Sequence, residues 1–165
     1  MKSFYLVGGL TLIGVAVNRF LKISGVNNEF DKYFKISGLK NGVAPRYLKA
    51  ISMNESFLGE YQNTVTVNGN TTGGLMHIEL PTARDYVSQI TPGELLIPGN
   101  EIEIASRHFK VLLNRYNNDL ELAVRAYNGG MGRVDQYLDG LAPMQWVENT
   151  NEYWARFQRN LNKIS

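Results

Sequence analysis

The spacing of the apolar residues does most to limit what this chain can become. Along most of its 165 residues they recur at intervals of three and four, the period of a helix with one buried face. Ala44 to about Leu58 reads as such a helix, with Pro45 in its first turn, where no intrahelical N–H is needed. Pro81 is expected to open a helix through Ala83 and Tyr86. Asn100 with Glu103 resembles a capping box, and behind it Ile102, Ala105, Phe109, Leu112 and Tyr116 form one stripe. Asp119 is placed to cap a helix carrying Ala123, Val124 and Tyr127, which Gly129 and Gly130 would end. Val134, Tyr137 and Leu138 predict a short helix before Gly140, and Trp154, Phe157 and Leu161 the stripe of a last one. Phe30, Tyr33 and Phe34 predict a short amphipathic turn ended near Gly38. One stretch breaks the pattern. Gly59 to Gly74 is rich in Gly, Asn and Thr, Val65 and Val67 alternate with Thr64 and Thr66, and Asn68-Gly69 is a hairpin signal. The expectation is therefore a mainly α domain with a small β-hairpin in a polar loop.

The N-terminal stretch is of another kind. Phe4 to Val17 is an apolar run of 14 residues, interrupted by Thr11 and three glycines. A membrane span takes about 20 apolar residues, so the run is short unless Phe20 and Leu21 join it. Membrane insertion, a helix buried in the core or against a partner, and an uncleaved export signal all fit it. Basic residues are denser after the run (Arg19, Lys22) than before it (Lys2), which by the positive-inside rule leaves the main domain cytoplasmic. The expected division is an apolar N-terminal helix over 1–23, a linker and short helix over 24–43, and one domain over 44–165.

Composition removes several chemistries. The absence of Cys excludes thiol catalysis, disulfides and Cys-ligated metals. With two His, a multi-His metal site is not expected. Lys and Arg number 17 against 15 acidic residues, a balance that does not suit a nucleic-acid binder.

Glu55 stands out against this background. It lies four residues after Ile51 and three before Leu58, on the apolar stripe that also holds Leu48. Burying an ionised carboxylate is costly, so such a group tends to stay protonated, as a general acid must. Asn54 and Ser56 are at hand to supply hydrogen bonds. Pairing with a cation or a place at a frayed helix end would explain Glu55 equally well. Three further clusters stand with it. Gly73-Gly74-Leu75-Met76-His77-Ile78 sets glycines beside apolar residues, fit for close approach to a ligand or for a loop re-entering the core. Ala126-Tyr127-Asn128-Gly129-Gly130 sets a phenol and an amide at a helix end, and Glu148-x-Thr150-x-x-Tyr153 reads as the opening of the final helix.

In this order and spacing, over about Pro45 to Tyr153, the clusters resemble the lytic transglycosylase family, the soluble branch of the lysozyme-like superfamily. Glu55-Ser56-Phe57 stands for the family's Glu-Ser helix end. Gly74-Leu75-Met76-His77-Ile78 stands for its Gly-Leu-Met-Gln-Ile, and Ala126-Tyr127-Asn128-Gly129-Gly130 for its Ala-Tyr-Asn-Ala-Gly. Asn100, with His108-Phe109, falls on its Asn-to-Tyr-Leu helix, and Glu148 to Tyr153 is a stretched form of its closing Glu-Thr-x-x-Tyr-like segment. This sequence departs from the pattern in having Phe57 directly after Ser56, a longer loop after Glu55, His77 for Gln and Gly129 for Ala.

The resemblance implies a lysozyme-like fold that cleaves peptidoglycan between N-acetylmuramic acid (MurNAc) and N-acetylglucosamine (GlcNAc), needing no metal and no cofactor. Glu55 would protonate the glycosidic oxygen, then take the proton of the muramic 6-hydroxyl as a 1,6-anhydro ring closes, through an oxocarbenium-like transition state. Tyr127 would hydrogen-bond near Glu55 or the substrate acetamido group, and Ser56, Gly74, Leu75, Met76, His77 and Asn128 would line the glycan groove. A hydrolytic muramidase is the alternative, with Glu60, Glu79 or Asp85 as second carboxylate, as is an inactive glycan-binding or structural subunit. A small catalytic domain with an apolar head suits a phage virion or injection component, or a secretion machine, with residues 4–21 against a membrane or neighbouring subunits. The setting expected is thus a virion or cell envelope, with peptidoglycan strands as partner and no nucleic acid.

Overall fold

The computed structural model describes residues 29–60, 65–67 and 70–164. The apolar run over 4–21 lies outside them. Among the described residues no helix is long and apolar enough to cross a membrane.

The fold is mostly helical. Helix α1 (Asp31–Asn41) packs on α2 (Pro45–Ser56) and on the long α5 (Pro98–Arg115). Strands β1 (Val65–Val67) and β2 (Asn70–Thr72) pair antiparallel, with Val65 opposite Thr72. Short helices α3 (Leu80–Arg84) and α4 (Pro92–Leu95) lead into α5. Helices α6 (Leu120–Gly129) and α7 (Met131–Leu138) follow, and α8 (Met144–Ile164) closes against α2 and α6. Phe34, Leu48, Ile51, Ile102, Phe109, Leu112, Val124 and Phe157 are fully buried at the centre. Burying a side chain of this kind contributes about 1.5–3 kcal/mol.

Where this architecture departs from the expected elements, local chemistry accounts for it. The short helix expected within 24–43 is present, but it runs eleven residues, Asp31–Asn41, past the end expected near Gly38. Gly38 does not end it. A Cβ there would lie 2.6 Å from the Val43 carbonyl oxygen, so the glycine lets two chain segments touch, and Gly42 at φ 66° makes the left-handed stop. Lys49, buried on α2, reaches Asp31 of α1 at 2.6 Å and ties the two helices together. The capping box falls on Thr91 and Glu94, which open α4, not on Asn100 and Glu103. Asn100 donates to the Glu94 carbonyl, while Glu103 pairs with Lys40 and Arg107. Helix α3 stops at Arg84, short of Tyr86. Thr150 does not open the last helix but lies inside α8, buried, and accepts a hydrogen bond from the Arg125 guanidinium at 3.1 Å.

Candidate active site

Glu55 is the next-to-last residue of α2. After Ser56 the chain turns sharply, with Phe57 at φ 52° and Leu58 at φ 58°, both left-handed. This abrupt end places the Glu55 carboxylate on the wall of a cleft of about 480 Å³, with only 14% of its side chain exposed. His77, Glu79, His108, Tyr127 and Asn128 line the same cleft.

Each oxygen of Glu55 has its own neighbour. The Tyr153 hydroxyl, from α8, donates to Oε1 at 2.5 Å. His77 Nδ1 lies 3.3 Å from Oε2. Burial, then the charge of Glu55, pushes the Tyr153 phenol well above its ordinary range, so it remains a donor across the working pH range. Tyr127 is pushed up in the same way, by burial first and then by Glu55 and Glu101. Its hydroxyl donates to the Met76 carbonyl at 2.8 Å and leaves Glu55 to Tyr153.

The segment from Gly74 to Ile78 is fixed through its backbone. Buried Glu101, on α5, accepts the Leu75 N–H at 2.7 Å and the Met76 N–H at 2.8 Å. The hydroxyls of Ser52 and Ser56 both donate to the Leu75 carbonyl, and Thr72 donates to the carbonyl of His77. With these groups satisfied the segment has little freedom to shift. It holds His77 at φ 49°, a conformation that L-residues adopt only when their surroundings impose it. Gly74, at φ 77°, lies so close to the Glu101 carboxylate that a Cβ would collide with it. Burial pushes Glu101 up to about 7, against the lowering effect of the Met76 and Leu75 amides and of His77.

Residues 32–141 match the family described as the transglycosylase SLT domain, two thirds of the chain. The chain belongs to that family. Solved structures agree on the fold. An inactive mutant of the lytic transglycosylase Slt from Pseudomonas aeruginosa is 19% identical, with a TM-score of 0.60, over 81% of this chain and 24% of that one. The 70 kDa soluble lytic transglycosylase from Escherichia coli is 24% identical, with a TM-score of 0.61, over 82% of this chain and 25% of that one. A complex of the 70-kDa soluble lytic transglycosylase with bulgecin A is 21% identical, with a TM-score of 0.55, over 82% and 22%. The chain thus spans about a quarter of the length of these structures. The fold class is the lysozyme-like one.

In this SLT domain the residues expected at the site divide into two sets. Glu55, His77, Tyr127 and Asn128 meet at the cleft. Ser56, Leu75 and Met76 are buried and Gly74 abuts Glu101, so these four stand behind the cleft wall as its support. Asn54 supports from the other side: it donates to the Tyr153 carbonyl at 3.0 Å and accepts from Asn160 at 2.8 Å, which docks α8 on α2. Two residues of the site are not among those the sequence assigns to it. Tyr153 falls in the Glu148-to-Tyr153 segment, which closes the family pattern but reads locally as a helix start, and Glu101 is overshadowed by Asn100. The Glu101–Ala105–Leu112 spacing on α5 is the available signal, since it sets a carboxylate on the buried face. The glycine at 129 also has a reason. A Cβ there would strike the Trp146 indole, whose N–H donates to the Gly129 carbonyl at 3.0 Å. Among the described residues no group of three or more His, Asp or Glu could hold a metal.

Proposed function

We propose that this chain is a peptidoglycan lytic transglycosylase. It cleaves the β-1,4 bond between MurNAc and GlcNAc and leaves a 1,6-anhydroMurNAc end. The observation that carries the reading is Glu55 on the cleft wall, with one oxygen held by the Tyr153 hydroxyl and the other beside His77, where a bound glycan would meet it.

Glu55 protonates the leaving oxygen as the C1–O bond breaks, and positive charge spreads over C1 and the ring oxygen. The carboxylate so formed faces that charge and keeps the Tyr153 hydrogen bond. It then accepts the 6-hydroxyl proton as O6 closes on C1, a step favoured because both atoms belong to one sugar. Asn128, exposed at the cleft beside Tyr127, is suited to hydrogen-bond a glycan substituent.

Of the three other carboxylates considered, Glu79 alone is on the cleft wall among the described residues. It is the residue on which a hydrolytic muramidase would depend. Product analysis decides between the two: anhydro ends support transglycosylation, and reducing ends support water activated by Glu79. We further propose local opening of the wall by a phage virion as the setting, with residues 4–21 against a membrane or neighbouring subunits. Detection of the chain in purified virions by mass spectrometry tests this.

A further inference from the structure

We propose that His77 and Glu55 hold one proton between them, so that the acid of this site is a carboxyl–imidazole pair and His77 is a positioning and proton-holding residue. This rests on the reading of Glu55 as the acid.

The geometry supplies the argument. Nδ1 of His77 lies 3.3 Å from Glu55 Oε2, and both side chains are mostly withdrawn from water, at 29% and 14% exposed. The ring is aimed at the carboxylate by a left-handed backbone that no glycine relieves. That backbone is held on both sides by the Glu101 and Tyr127 contacts to Met76 and by Thr72. An amide here, as in the family's usual pattern, can donate a hydrogen bond but cannot accept a proton at working pH; an imidazole can.

Other ionisable groups act on the pair. Tyr153, from α8, stays a neutral donor to Oε1, and Arg156 lies over its ring at 5.6 Å. Tyr127, from α6, is neutral and bound to Met76. Glu101, from α5, is close enough to His77 for the two charges to interact. Glu79 and His108 share the cleft wall, and His108 is bonded to the Tyr86 hydroxyl at 3.1 Å. The Glu55 carboxylate at 3.3 Å favours a proton on this imidazole.

The proton count closes over a cycle. When the proton rests on His77, it passes from Nδ1 to Oε2, and Glu55 then gives it to the glycosidic oxygen as C1–O breaks. The bonding electron pair leaves with that oxygen. When O6 closes on C1, its proton goes to Glu55, and the pair again holds one. Such a pair loses its last proton at a higher pH than a carboxyl without the imidazole.

Two measurements on the 165-residue chain test this. The first is an NMR titration of the imidazole signals without substrate; the chain has two histidines, so assignment is direct. In Glu55→Gln the His77 midpoint should fall by roughly one to three pH units. An unchanged midpoint overturns the proposal. The second is the pH profile of kcat on peptidoglycan for His77→Asn, a residue that tolerates left-handed backbone, and for His77→Gln. The alkaline limb should move down by about one unit or more, with kcat affected more than KM. An unmoved limb in both variants overturns the proposal. Turnover persisting in Glu55→Gln would instead remove Glu55 as the acid, whatever the titration shows.

Discussion

Replacing Glu101 by Gln should change stability in a way that depends strongly on pH. Glu101 is fully buried, and its carboxyl is pushed from 4.5 to about 7 by that burial. A folded state that keeps a proton the unfolded chain has released is stabilised at low pH. That contribution is fully present below the unfolded value near 4.5 and is lost as pH rises through about 7. Between pH 4 and 8 the loss is about 3 kcal/mol, at about 1.4 kcal/mol for each pH unit separating the folded from the unfolded value. Gln has no proton to lose, so its stability carries no such slope. It can accept one of the two N–H groups now bound by Glu101, and leaving the other unmet costs about 1–3 kcal/mol. The stability of wild type relative to Glu101→Gln should therefore fall by about 3 kcal/mol from pH 4 to pH 8, or about 6–12 °C in relative Tm. Urea or thermal unfolding of both proteins across this range measures it, and titrating groups that do not interact with Glu101 cancel in the difference. A difference that is constant, or that moves in favour of wild type as pH rises, would refute the reasoning. It would mean that the Leu75 and Met76 amides outweigh burial and keep the carboxylate ionised throughout.

Tyr153→Phe removes the hydroxyl that holds Glu55 and leaves the ring that packs beneath it. Losing a hydrogen bond to a charged group costs about 1.5–3 kcal/mol, so kcat should fall roughly 10- to 100-fold with little change in KM, as steady-state turnover would show. Gly129→Ala restores the family's usual residue yet should destabilise by about 1–3 kcal/mol, because the new methyl meets the Trp146 indole. Pairing it with Trp146→Leu should recover part of that loss in a double-mutant cycle by chemical unfolding.

Much of this architecture is legible in the sequence because helices announce themselves locally. Asp119 caps α6 as its position suggests, accepting from the Leu122 N–H at 3.0 Å. Glu55 is visible because a carboxylate among Leu48, Ile51 and Leu58 conflicts with a plain apolar face. Its pairing with Tyr153 is not, since the two are brought together across 98 residues by α8 docking on α2. Ser56, expected in the groove, proves to be a buried donor to Leu75, because successive helix residues point about 100° apart, so that Glu55 faces the cleft and Ser56 the 74–78 segment. Glu101 is hidden by its neighbours. Asn100 and Glu103 look like cap residues, and only the true start of α5 at Pro98 shows which side chain turns inward. The glycine at 129 is explained by Trp146, a contact that local pattern does not reveal.

The most direct test is the fate of C1 when the 165-residue chain digests purified peptidoglycan in heavy-oxygen water. Mass spectrometry should find 1,6-anhydroMurNAc ends without incorporated label, and none of them in Glu55→Gln. Labelled reducing ends, or anhydro product persisting in Glu55→Gln, would contradict the account.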